Sequence, residues 1–142
     1  MPTIADIMTR ELVSVAPHDS LREAAQRMRD ADVGVLPVVD GHRLVGMLTD
    51  RDITIRAVAE DLELDAPVEA IMSEDVLHCY DDQSVEDVLS DMGELQTRRL
   101  PVLDHETAQL VGIVSLGDLS RFDPSLSGDT LRDVSSPAPP MS

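Results

Sequence analysis

The feature that most constrains this chain is that one unit is written twice. Ile7-Met8 recurs as Ile71-Met72, Ser20 as Ser84, Met28 as Met92, Leu36-Pro37-Val38 as Leu100-Pro101-Val102 and Asp40 as Asp104, each pair 64 positions apart. Two extra residues in the loop "DHETAQ" then set the spacing to 66, where Leu44-Val45-Gly46 matches Leu110-Val111-Gly112 and Asp52 matches Asp118. A tandem repeat makes each half one structural unit and restricts the fold to an arrangement of two copies.

Each copy reads alike. A short helical lead-in precedes a β-branched stretch, "LVSVAP" or "VLHCYD", and then an amphipathic helix. Leu21, Ala24, Ala25 and Met28 follow Ser20 at helical spacing, and Val85, Val88, Leu89 and Met92 follow Ser84. Two strands joined by a tight turn come next, "GVLPVVDGHRLVGML" and "RLPVLDHETAQLVGIV", with Asp40-Gly41 a strong hairpin signal. A second helix starts at about Asp50 and at about Leu116. The order is β-α-β-β-α, twice, an α/β (α+β) architecture.

The domain boundaries expected from the repeat are 4–64 and 65–122, followed by a Ser/Pro-rich tail over 123–142 that the composition makes flexible, with Leu126 to Val134 a candidate docking helix. A half of about 60 residues buries little surface alone, so the two copies are expected to pack through their sheets about a pseudo-two-fold axis. Met8, Met28, Met72 and Met92 fall on helical positions and read as core or interface residues.

Composition narrows the function. With 142 residues and 42% hydrophobic content the chain is about one ordinary domain long and has enough apolar residues for a core. Its formal charge of -17 argues against a nucleic-acid or anionic-membrane ligand, because phosphate binding depends on a basic face. The start "MPTIADIM" has no basic lead and carries Asp6, and the longest apolar run, Val33 to Val39, is about a third of a membrane span, so a cytoplasmic protein is expected. Four dispersed histidines, His18, His42, His78 and His105, show no metal-ligand spacing, and no metal is expected. Cys79 is the single cysteine and matches Val15 of the first copy, which points to packing; His78 beside it faces the opposite side of a strand, so no nucleophile has a base and no enzyme is expected.

Two stretches stand out, "GMLTDRDI" at Gly46 to Ile53 and "GIVSLGDL" at Gly112 to Leu119. Thr49 with Asp52, and Ser115 with Asp118, have the spacing of a capping box, and capping alone accounts for both. Ser20 with Glu23 and Ser84 with Asp87 repeat the pattern, so spacing does not distinguish a cap from a binding site. Context favours the first two: each follows a strand, so a hydroxyl and unsatisfied N–H groups emerge together where anions and ligands collect. The chemistry then divides, with Thr49 or Ser115 toward phosphate and Asp52 or Asp118 toward ribose hydroxyls. Arg98-Arg99, the only adjacent basic pair, precedes "LPV" of the second copy; it either neutralises acidic neighbours such as Glu94 or supplies the phosphate fork. Gly34 and Val35 hold those places in the first copy, which makes the two sites unequal in charge.

These residues carry a resemblance. The repeated unit, the "LPVVD" and "LPVLD" strands and the two hydroxyl-x-x-Asp stretches resemble a pair of cystathionine β-synthase (CBS) domains, the Bateman module, over about residues 4 to 122, and the chain looks like the short standalone CBS proteins of bacteria. The resemblance implies two related clefts that take adenosine compounds such as AMP, ADP, ATP or S-adenosylmethionine, and regulation of a separate partner. It places Thr49 with Asp52 and Ser115 with Asp118 at the ligand, Val13 and Val33 framing the site of Asp118, and Leu77 and Thr97 framing that of Asp52. The second copy is similar to the nucleotide-binding repeats of the AMP-activated kinase γ subunit, with Arg98 and Arg99 in the place of phosphate-contacting basic residues and Gly34 in that place in the first copy. A homodimer follows from the same resemblance. The alternative is an interaction scaffold whose clefts are empty or vestigial.

Overall fold

The computed structural model describes residues 2–74, 76–95 and 99–122. Among the described residues the chain divides into two compact units, one spanning Val13–Val76 and the other joining residues 2–12 to residues 77–122. These units are not the sequence repeats with boundaries 4–64 and 65–122. The lead-in of each repeat packs in the unit built by the other, because its apolar residues complete that unit's core.

In the unit of Val13–Val76, helix α2 (Leu21–Ala31) covers the hairpin of β1 (Val35–Asp40) and β2 (Arg43–Thr49). Ser20 starts the helix by accepting the N–H of Glu23 at 3.1 Å, and Asp32 in the left-handed conformation (φ 55°) ends it. Leu21, Ala24 and Met28 form its buried face and meet Leu36, Val38 and Leu48 from the hairpin, Val15, and Val68 and Ile71 from the second repeat's lead-in. Gly41 takes the positive φ (66°) that the Asp40-Gly41 turn requires.

The other unit repeats the plan. Helix α1 (Ile4–Ile7) and helix α4 (Val85–Leu95) accompany a sheet in the order β3 (Cys79–Tyr80), β4 (Arg99–Leu103), β5 (Leu110–Ser115), with β3 parallel to β4 and β4 antiparallel to β5. Helix α5 (Leu116–Phe122) follows. Ile4 and Met8 from the first repeat's lead-in join Val85, Val88, Leu89, Met92, Leu100, Val102, Val114, Leu116 and Leu119 in its core.

Two expected elements differ. The "LVSVAP" strand shrinks to one parallel bridge between Val15 and Val38, because the carboxylate of Asp19 takes the Ala16 N–H at 2.8 Å and Pro17 has no N–H to offer. The helix from Asp50 begins with one α turn, α3 (Asp50–Asp52), and continues as a π-helix over Ile53–Val58. There the Thr54 hydroxyl donates to the Asp50 carbonyl at 3.1 Å and occupies part of an acceptor that the α ladder would use.

The lead-ins explain two glycines. Ser73 pairs with Met47 in both directions, at 2.9 and 3.0 Å, and Thr9 pairs with Ile113 in the same way, at 2.8 and 3.0 Å. Each lead-in thus lies against the middle of β2 or β5, where Gly46 and Gly112 leave room for Met72 and Met8. The candidate docking helix at Leu126 to Val134 lies outside the described residues.

Candidate functional site at the two hydroxyl-x-x-Asp motifs

Both motifs form reciprocal capping boxes. Asp52 N–H donates to Thr49 Oγ1 at 3.0 Å while Thr49 N–H donates to Asp52 Oδ2 at 2.9 Å. Asp118 N–H donates to Ser115 Oγ and Ser115 N–H to Asp118 Oδ2, both at 3.0 Å. The local role that spacing alone predicted is therefore present at both.

The box itself marks no ligand. Thr3 N–H donates to Asp6 Oδ2 at 2.9 Å ahead of α1, a third example that the same Thr-x-x-Asp spacing could have flagged. Ser84 accepts the Asp87 N–H at 3.2 Å, and at Ser20 the Glu23 carboxylate turns to Arg27 at 2.6 Å.

What separates Asp52 from the others is burial. Its side chain is 1% exposed, and it is the one buried charged residue among the described positions. Oδ2 is held by the Thr49 N–H, but Oδ1 has no hydrogen-bond partner. The nearest described cation is Arg56, one turn along the helix, with Nε 3.9 Å from Oδ1. A buried carboxylate oxygen without a donor is costly, and such atoms concentrate where a ligand supplies the missing hydrogen bond. Asp118 is only half-buried. The two sites that the sequence makes unequal in charge, with the arginines in the second copy, are thus unequal in burial in the opposite sense.

Arg99 opens β4 and is the direct cross-strand partner of Ser115, so the fold places the two residues opposite each other at the strand-to-helix junction. In the first repeat Val35 faces Thr49 across the ladder, and the Gly34 carbonyl accepts the Asp50 N–H at 3.0 Å. A Cβ at Gly34 would stand 3.1 Å from Asp50 Oδ2, so an acidic side chain borders the junction where the second repeat has arginine.

Val13 and Leu77 are 40% and 50% exposed, whereas Val33 packs against its unit's core. Val13, Val33, Gly34, Thr49 and Asp52 share one unit, and Leu77, Arg99, Ser115 and Asp118 share the other. Thr97 and Arg98 lie outside the described residues.

Cys79 is buried, and that burial, reinforced by the charge of Asp91, pushes its thiol up to about 12. It stays a protonated packing residue, while His78 is exposed on the opposite face. His105 Nδ1 meets Asp82 Oδ2 at 2.7 Å and its ring stacks on Tyr80 with centroids 4.6 Å apart, a surface cluster that neither motif touches. No helix among the described residues is long and apolar enough to cross a membrane.

With lead-in, helix, hairpin and capped junction present twice, the architecture is a tandem pair of one α/β unit. The CBS domain model matches residues 4–58 and 68–125, and the chain belongs to the CBS domain family as a tandem pair. It is similar to the CBS domain-containing protein YhcV of Bacillus subtilis, 38% identical over 137 residues covering 95% of this chain and 96% of that protein. Among solved structures it is similar to Hypoxic Response Protein I with two coordinated zinc ions, with TM-score 0.74, 39% identity and coverage of 84% of this chain and 97% of that one. The CBS domain pair of protein MJ0100 in complex with 5'-methylthioadenosine and S-adenosyl-L-methionine gives TM-score 0.73 and 28% identity over 88% of this chain and 98% of that one. CBSX2 in complex with AMP gives 0.76 and 27% over 89% and 98%. No three His, Cys, Asp or Glu side chains converge among the described residues.

Proposed function

We propose that this CBS pair is a regulatory module that takes an adenosyl ligand at Thr49/Asp52 and at Ser115/Asp118 and signals its occupancy to a separate protein. The unsatisfied Oδ1 of buried Asp52 carries the reading, since a ribose hydroxyl is a neutral donor of the right size for it. The complexes of MJ0100 and CBSX2 with adenosyl compounds support the ligand class.

The two sites differ in selectivity. Arg99 beside Ser115, with Arg98 next in sequence, suits a phosphorylated ligand such as AMP, ADP or ATP. Asp50 beside Gly34 disfavours phosphate at the first site and suits a neutral or cationic 5' substituent, as in S-adenosylmethionine. The family resemblance is the ground for assigning Val13 and Val33 to the adenine of the Asp118 ligand, and Leu77 and Thr97 to that of the Asp52 ligand. A homodimer in the cytoplasm, without nucleic acid or membrane as ligand, completes the proposal.

Titration calorimetry of ligand-stripped protein with AMP, ADP, ATP and S-adenosylmethionine tests it. Binding below about 1 mM that is lost in Asp52→Ala or Asp118→Ala supports the sensor. A second reading, a scaffold with vestigial sites, draws on the capping boxes, which already engage Oδ2 of both carboxylates. It expects no adenosyl binding and an unchanged partner complex in both variants.

A further inference from the structure

Arg56 stands between two acceptors that belong to different repeats. Its Nε is 3.9 Å from Asp52 Oδ1, and its Nη1 donates to the Ile71 carbonyl at 3.2 Å. Ile71 is buried in the core of the Val13–Val76 unit and caps the short helical turn Val68–Ala70 of the second repeat's lead-in. Met72 then seats on Gly46, and Ser73 pairs with Met47. A few residues on, at Val76, the chain leaves this unit. One guanidinium therefore touches the connector's anchor and also lies nearest the buried, half-satisfied carboxylate.

The attraction to Asp52 Oδ1 is electrostatic at that distance, too long for a hydrogen bond. It draws the guanidinium toward the carboxylate and away from the Ile71 carbonyl. A donor placed on Oδ1 weakens that attraction and leaves Arg56 to the carbonyl. In the second repeat the position that matches Arg56 carries Phe122.

We propose that Arg56 is a positioning residue that couples occupancy of Asp52 Oδ1 to the anchoring of the 71–74 connector. It deepens the adenosyl reading in one respect, the identity of the donor that reaches Oδ1; the coupling itself is measurable without any ligand.

Amide hydrogen exchange at Ser73 and Met47 in the ligand-free protein reads the coupling. Asp52→Asn keeps an oxygen for the Thr49 N–H and removes the charge facing Arg56, so exchange at Ser73 slows by about fivefold, the low end of ordinary coupling between sites. In the Arg56→Met background the same Asp52→Asn change leaves Ser73 exchange unaltered, and Arg56→Gln serves where the methionine variant folds poorly. An equal response with and without Arg56, or no response in either background, overturns the proposal. In a second arm, S-adenosylmethionine slows Ser73 exchange in the parent protein; in Arg56→Met it still binds within about fivefold of the parent affinity but no longer slows Ser73. Loss of S-adenosylmethionine binding in Arg56→Met overturns the positioning role in favour of direct ligand contact. Failure of S-adenosylmethionine to bind the parent protein counts against the ligand reading, while the substitution cycle decides the coupling by itself.

Discussion

Gly46 lies directly beneath Met72: a Cβ built on the glycine would stand 2.6 Å from the methionine sulfur and 2.9 Å from the Ser73 carbonyl oxygen. The glycine of "GMLTDRDI" therefore serves the seating of the second repeat's lead-in. Gly112 stands in the same relation to Met8, at 2.6 Å, and to the Thr9 carbonyl, at 3.0 Å.

Gly46→Ala is expected to destabilise the protein by about 1–3 kcal/mol, the usual cost of overpacking. The methionine end can swing away, but the Ser73 carbonyl is part of the bridge to Met47 and must shift with the backbone. Urea unfolding measures the loss, and Gly112→Ala is expected to behave alike.

Asp52→Ala removes the acceptor of the Thr49 N–H and with it half of a capping box, at a cost of about 1–2 kcal/mol. Because Asp118 is half-buried, Asp118→Ala leaves the freed Ser115 N–H nearer to water and costs less. Thermal unfolding of the two variants side by side is expected to give the larger drop for Asp52.

Arg99→Met is expected to weaken ATP or ADP binding by about tenfold, the loss of one charge-assisted contact, and to leave adenosine binding nearly unchanged. Arg99 is an exposed residue on the first position of β4, so the unfolding midpoint is expected to move little. Calorimetric titration with the two ligands separates the effects.

Cys79 is expected to resist thiol reagents at pH 8 in the native state and to react once the protein is unfolded in urea. Its native value is raised from 9.0 to about 12, so the folded state holds the proton more tightly than the unfolded chain. The associated stability is fully present below about pH 9 and is lost as pH rises toward about 12. A urea midpoint that falls across that window in the parent protein and stays flatter in Cys79→Val checks the sign.

Much of the fold was legible because a repeat supplies its own control. The hairpins at "LPVVD" and "LPVLD", the Asp40-Gly41 turn and the helix starts at Ser20 and Ser84 follow from turn chemistry and periodicity, which act over a few residues. The "LVSVAP" strand was over-read because β propensity says nothing of the Asp19 carboxylate that takes the Ala16 donor. The π-helix at Ile53–Val58 was missed because its periodicity over six residues is too short to tell from an α-helix. The capping pairs Thr49/Asp52 and Ser115/Asp118 are legible in spacing, while the contrast in burial between Asp52 and Asp118 is not, since spacing is blind to burial.

The sequence by itself determined the two-copy plan, the helix and following hairpin of each copy and the positions of the hydroxyl-x-x-Asp motifs, all of which arise from local pattern and internal repetition. Only the tertiary structure decided which unit each lead-in completes, that Gly46 and Gly112 are seats for Met72 and Met8, that Asp52 is buried with one oxygen unsatisfied, and that Arg56 reaches Ile71. Each of these depends on contacts between residues that are remote along the chain or on how fully water is excluded, and such contacts form only when the core closes.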